Sequence, residues 1–255
     1  SAAFTLFIVI TLRAEEAPLQ IVFDKSASAV LDPVNWDKSF PGELYFDAVR
    51  PLLIRFPNSA ADIHVRLKEG YAIESAVLQL EWLKQEGPRP ERGRHGWGAE
   101  DAYAKNPGQW SAVAFALRRP WSVVSPQFSP TFNAQINALS FWSRGGARDD
   151  SDDRHAERFG PLPLHAASPS AALDLTPLLT RADFGASPAA RLRALEDCGL
   201  QVHKHELFDL KYNNQYRGDV PMGPFDYYSW CCSTGCMKIW IKQPRLIVTL
   251  TKKAA

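Results

Sequence analysis

Along most of this chain, short stretches of alternating apolar and polar residues end in clusters of turn-forming residues. Strict alternation puts one set of side chains on each face of a strand, so the pattern predicts strands with one buried side. Residues 19–23 (LQIVF) and 51–56 (PLLIRF) read as strands, the second closed by Pro57 and Asn58. In 63–67, Ile63, Val65 and Leu67 alternate with His64 and Arg66, which predicts a third strand ahead of a turn at Lys68-Glu69-Gly70. Residues 73–82 (IESAVLQLEW) alternate again, with Ala76, Leu78 and Leu80 opposite Val77, Gln79 and Glu81. Further strands are expected at 111–117 (SAVAFAL), 137–142 (NALSFW), 199–208, 237–241 (MKIWI) and 245–250 (RLIVTL). Residues 172–176 (ALDLT) lead into a short helix or turn, with Thr176 as N-cap before Pro177. Residues 189–195 (AARLRAL) fit one helical segment or a strand.

Three stretches break the pattern. Residues 87–108 form a long polar insertion, 144–161 a polar and charged loop, and 212–229 an aromatic, Asn-rich loop. Unstructured connections this long inside a domain usually carry function. Five- to ten-residue strands separated by Gly/Pro turns, with few helices, predict an all-β fold. The expected form is an antiparallel, jelly-roll-like β-sandwich with long loop insertions. No repeat or linker divides it, so residues 15–255 read as one domain.

Residues 2–12 (AAFTLFIVITL) are the most apolar stretch and run into Arg13-Ala14-Glu15-Glu16. Residues 1–14 therefore read as the remnant of a secretory signal, or else as an N-terminal strand. Composition adds exclusions. With 45% hydrophobic and 22% charged residues the 255-residue chain is globular in kind. Its 29 Lys+Arg against 28 Asp+Glu give no broad electrostatic reason to bind nucleic acid. No run reaches the roughly 18 apolar residues of a spanning helix.

The cysteines are Cys198, Cys231, Cys232 and Cys236. In an exported chain an even count suggests two disulfides. A bridge between neighbouring Cys231 and Cys232 would strain the peptide joining them, so Cys198 would pair with one of them and Cys236 with the other. A metal site drawing on Cys198, His203 and His205, and free buried thiols, stay open beside it.

The order of motifs also carries a resemblance. PLLIRF (51–56), IESAVLQL (73–80), ALDLT (172–176) and PRLIVTL (244–250) follow one another as the marker segments of DNRLRE-type domains do. These domains are also called disaggregatase-repeat-like. The resemblance covers about residues 19–251; the insertions at 87–108 and 144–169 and the cysteine-rich segment depart from it. It implies a β-sandwich of the kind attached to secreted polysaccharide-active enzymes, and hence a carbohydrate-binding role.

The residue chemistry agrees in kind. Sugars present apolar CH faces and rings of hydroxyls, which exposed aromatics and planar polar side chains match. Arg94, Trp97 and Tyr103 in one insertion, and Asn213, Asn214, Tyr216, Arg217 and Tyr228 in another loop, supply that mixture. Arg92, Arg94 and Arg217 would pair with the carboxylates of an acidic polysaccharide. Asp149, Asp150, Asp152 and Asp153 offer oxygen ligands for calcium without EF-hand spacing, and structural calcium elsewhere is a further option. For lyase-like catalysis, His95, His203, His205, Tyr212 and Tyr216 are the candidate acids and bases. The leading expectation is a secreted or cell-surface, non-catalytic module that binds polysaccharide or glycan. A cell-surface assembly subunit with protein partners on its long loops, and a polysaccharide-degrading enzyme, are the alternatives.

Overall fold

The computed structural model describes residues 17–32, 35, 37–47, 50–86, 111–123, 129–131, 134–136, 140–143, 145–164, 166–204 and 238–253. Among them strands predominate, all paired antiparallel, in two six-stranded sheets and one small hairpin. This is the expected all-β sandwich, with one sheet curled as a half-barrel.

The first sheet is built on β6 (Tyr71–Glu86), the longest strand described. Along one edge runs β14 (Arg245–Lys252), from Arg245 opposite Gln79 to Lys252 opposite Tyr71. β13 (Lys238–Ile241) continues that ladder, with Lys238 opposite Glu86. Between them the Lys242 N–H donates to the Glu81 carbonyl at 2.8 Å, so two strands act as one long partner to β6. β11 (Ser170–Asp174) pairs with β6 on the other edge, while β1 (Leu19–Phe23) flanks β14 and β4 (Tyr45–Phe46) flanks β13. Period two then decides what is buried. Ala76, Leu78 and Leu80 face inward beside Ala171, Leu173, Ile239, Ile241, Leu246, Val248 and Leu250, all buried.

The second sheet runs in the order β10 (Arg154–Pro163), β7 (Ser111–Leu117), β12 (Leu200–Lys204), β5 (Leu52–Arg55), β2 (Ala27–Val30), β3 (Phe40–Pro41). It is covered on both faces. Val30, Leu52, Ile54, Ala114, Leu200 and Val202 join the first sheet in the main core. Ala29, Leu31, Leu53 and Leu117 turn the other way, onto Trp121, Trp142, Ala147 and Cys198. Double coverage explains why residues 111–117 are almost continuously apolar rather than cleanly alternating. Burying each large apolar side chain contributes roughly 1.5–3 kcal/mol. The outer cover is pinned by polar contacts as well. The Trp121 indole donates to the Cys198 carbonyl at 2.6 Å and the Trp142 indole to the Thr131 carbonyl at 3.1 Å. Gln201, fully buried in β12, donates to the Gly146 carbonyl and, at 3.0 Å, to that of Ala147. The small hairpin, β8 (Ala134–Ile136) and β9 (Ser140–Phe141), belongs to this covering segment.

Several local expectations are corrected. Residues 63–67 lie in a helix, α1 (Ser59–Lys68), not a strand. Ile63 is buried, Ala60 and Leu67 pack on the core, and Val65 is 52% exposed. The working spacing is thus 60, 63, 67, one face of a helix, and a five-residue window cannot tell it from alternation. The Glu196 carboxylate accepts from the Ala60 N–H at 2.7 Å, satisfying one of the donors at the start of α1. Residues 154–161, expected as loop, belong to β10. Thr176 begins α2 (Thr176–Thr180) rather than capping it, and its hydroxyl accepts from the Ala76 N–H in β6 at 3.0 Å. Residues 189–195 are helical, in α3 (Pro188–Asp197), where the Ser187 hydroxyl caps the Ala190 N–H. A 3₁₀ turn, Ala182–Phe184, separates α2 from α3.

Candidate functional site

The strand register brings the stems of the two aromatic insertions together. One insertion leaves the first sheet at Glu86 and enters the second at Ser111; the other leaves the second sheet at Lys204 and enters the first at Lys238. Glu86 lies directly opposite Lys238, and Ala112 directly opposite Lys204. All four stems therefore stand as cross-strand neighbours, two in each sheet. Directly paired residues lie about 5 Å apart.

Beside the Glu86–Lys238 pair, the first sheet carries an aromatic and charged strip. The Tyr45 and Trp240 rings meet at 4.8 Å with a 47° tilt. The Lys238 ammonium stands 4.3 Å over Tyr45 and that of Lys84 stands 4.9 Å over Trp240. The Trp240 indole donates to Glu86 at 2.9 Å, and Lys84 pairs with the same carboxylate. The hydrogen bond from Lys84 holds Glu86 below its usual carboxyl range, against the opposing effect of burial. Tyr45 is 4% exposed, and burial pushes its phenol up to about 12, so it is a neutral anchor at physiological pH.

Behind Tyr45 lies a buried ion network. Arg50 stands 3.1 Å from Asp32 and 2.8 Å from Asp47, whose side chain is fully buried. Burial works against the Arg50 charge, but the two carboxylates outweigh it and hold the guanidinium protonated. Removing one member would leave a buried charge uncompensated, which costs several kcal/mol. The network fixes the turn after β4 and with it the position of Tyr45.

Of the residues singled out from sequence, Arg94, His95, Trp97, Tyr103, His205, Tyr212, Asn213, Asn214, Tyr216, Arg217, Tyr228, Cys231, Cys232 and Cys236 lie outside the described residues. His203 lies on β12, its ring stacked on Phe115 at 5.3 Å and 15°. The Arg154 guanidinium covers the same Phe115 ring at 3.8 Å, donates to Gln201 at 2.7 Å and pairs with Asp150 at 2.7 Å. His203 thus belongs to a packed polar–aromatic stack on the outer side of the second sheet.

The acidic loop is tied to the protein. Asp153, fully buried, accepts from the Ser143 N–H at 2.8 Å and the Asp149 N–H at 3.2 Å. Asp149 accepts from the N–H groups of Ser151 and Asp152, both at 2.9 Å. Asp152 accepts from the Ser143 hydroxyl at 3.1 Å. Arg119 bridges the segment, donating to the Phe141 carbonyl at 2.9 Å and lying 3.4 Å from Asp153. These three carboxylates fold the loop back on itself, and Asp150 pairs with Arg154. Among the described residues no group of three or more His, Cys, Asp or Glu is arranged to hold a metal ion. Cys198 is buried and has no disulfide partner among the described residues, and burial pushes its thiol pKa up to about 12.

Tyr45, Lys84, Lys238 and Trp240 were not among the sequence candidates. Alternation in residues 237–241 shows that Trp240 and Ile241 face opposite ways, but nothing local reveals that Trp240 meets Tyr45, far away in sequence. No helix among the described residues is long and apolar enough to cross a membrane. Compared with family models, curated proteins and solved structures, the chain matches none.

Proposed function

We propose that this protein is a non-catalytic, secreted or cell-surface glycan-binding module. Its ligand is taken by the two insertions whose stems meet in each sheet, Glu86 beside Lys238 and Ala112 beside Lys204. The observation that carries this reading is the pairing of Glu86 with Lys238 and of Ala112 with Lys204. Two insertions rich in aromatic, Arg and Asn residues, far apart in sequence, start and finish beside one another. The partly exposed Trp240, with Lys84 and Lys238 beside it and the buried Tyr45 as its anchor, is of the same chemical kind. Aromatic rings suit the CH faces of sugars, and cationic side chains suit acidic ones. The resemblance to DNRLRE-type domains supports the same assignment.

Affinity electrophoresis on a panel of acidic and neutral polysaccharides tests it. The protein should be retarded by at least one polysaccharide without releasing sugars. Trp97→Ala and Tyr216→Ala should each weaken that binding about tenfold, near 1.4 kcal/mol, with the melting temperature unchanged. Released product would make the protein an enzyme. Concentration-dependent oligomers with no retardation would favour an assembly subunit.

A further inference from the structure

At the other end of β6, 15 residues and roughly 50 Å of strand away from Glu86, lies a second concave surface. A groove of about 510 Å³ opens there between α1, the start of α3, Tyr71 at the head of β6 and Lys253 just past β14. That volume is in the range of about 300–1,000 Å³ typical of small-molecule sites. Leu67, Ile73 and Leu179 give it an apolar lining.

Its charge is one-sided. Among the described residues the lining includes Lys68, Lys253, His64 and Arg191, and no Asp or Glu. The nearby carboxylate of Glu69 is occupied by Arg66 at 2.8 Å. Lys68 and Lys253 are exposed, and neither ammonium has an ion pair or side-chain hydrogen bond among the described residues. Arg191 is 7% exposed. Its Nε donates to the Leu179 carbonyl and its Nη1 to the Gly185 carbonyl, both at 2.7 Å, and no carboxylate accompanies it. Among the described residues Nη2 has no acceptor, and it is not one of the polar atoms sealed from solvent, so it is open to a ligand. A mostly buried guanidinium fixed by two carbonyls, with one nitrogen open and no carboxylate partner among the described residues, is suited to receive an anion. The first turn of α3, at Ser187 to Ala189, adds the positive end of a helix dipole to the same wall.

We propose that this groove is a binding site for an organic anion: a carboxylate, sulfate or phosphate head on an apolar-faced body. Lys68, Lys253 and the free Nη2 of Arg191 take the head, and Leu67, Ile73 and Leu179 take the body. The buried, carbonyl-held Arg191 is pre-organised for this task, whereas surface lysines alone would give only weak, salt-screened attraction. The site is separate from the glycan end and does not depend on that reading.

Calorimetric titration of the full chain at low ionic strength, with tri-galacturonate, hexanoate and inorganic phosphate as probes, tests the proposal. At least one organic anion should bind. The Lys68→Glu/Lys253→Glu double variant should lose tenfold or more in affinity with an unchanged melting temperature. Trp97→Ala should bind these probes as the wild type does if they occupy the groove. Binding of tri-galacturonate alone assigns an acidic sugar, and binding of hexanoate alone an aliphatic acid. The proposal is overturned if neither organic anion binds, if the double variant keeps wild-type affinity, or if inorganic phosphate binds as tightly as the organic probes.

Discussion

Gly199 joins α3 to β12 with φ +67°, a conformation that a side chain strains. A Cβ there would lie 2.2 Å from the Ile54 carbonyl oxygen and 2.9 Å from the Arg55 Cα, both backbone atoms that cannot swing aside. Gly199→Ala should therefore lower unfolding free energy by about 3 kcal/mol, combining backbone strain with overpacking. Urea unfolding monitored by tryptophan fluorescence would show the change as a lower midpoint. His155 offers a second residue-level test. Its ring packs on Phe184 at 4.7 Å, and burial, helped by the nearby Arg118 charge, holds its pKa below the usual 6.5. The folded state therefore resists protonating it. Between that lowered pKa and 6.5 the unfolded chain binds more protons, so stability is fully present above 6.5 and declines as pH falls through the window. His155→Gln should flatten the stability profile in this interval. The same slope in wild type and variant would contradict the assignment.

At the scale of elements, the helix α1 makes a prediction that a strand would reverse. Ile63→Lys should unfold or severely destabilise the protein by burying a charge, while Val65→Lys, on the solvent side, should change stability by less than about 0.5 kcal/mol. A strand with Ile63 and Val65 on one face would suffer from both, so comparing the two thermal melts separates the alternatives. This element also shows where the sequence is legible. The long alternation of β6 and the runs of β7 and β14 are readable, because many residues repeat one period. The five residues 63–67 satisfy two periods at once, and only the packing of Ala60 and Leu67 on the core decides between them. β10 is hidden for another reason. It is an edge strand paired to β7, with Phe159 its one buried apolar residue, and its charges and prolines are what exposed edges carry. Composition alone therefore makes it look like a loop.

For the whole molecule, two sheets and an outer cover hold the stems of the two insertions. The core between the sheets fixes the register, and the register decides which stems stand together. The aromatic and basic content of the insertions is visible in the sequence, as is the all-β class. The meeting of their stems is not, because it depends on Glu86 pairing with Lys238 and Ala112 with Lys204 across more than 90 residues of chain. The anion groove is likewise invisible beforehand. His64, Lys68, Arg191 and Lys253 come from three separated parts of the chain and carry no common motif. Glycan binding through the two insertions is tested by affinity electrophoresis of the wild type and the Trp97→Ala/Tyr216→Ala double variant on acidic and neutral polysaccharides. Retardation of the wild type, without released sugar and lost in a double variant that melts normally, is the predicted result. Equal retardation of both proteins, or none on any polysaccharide, would rule out glycan binding through these loops.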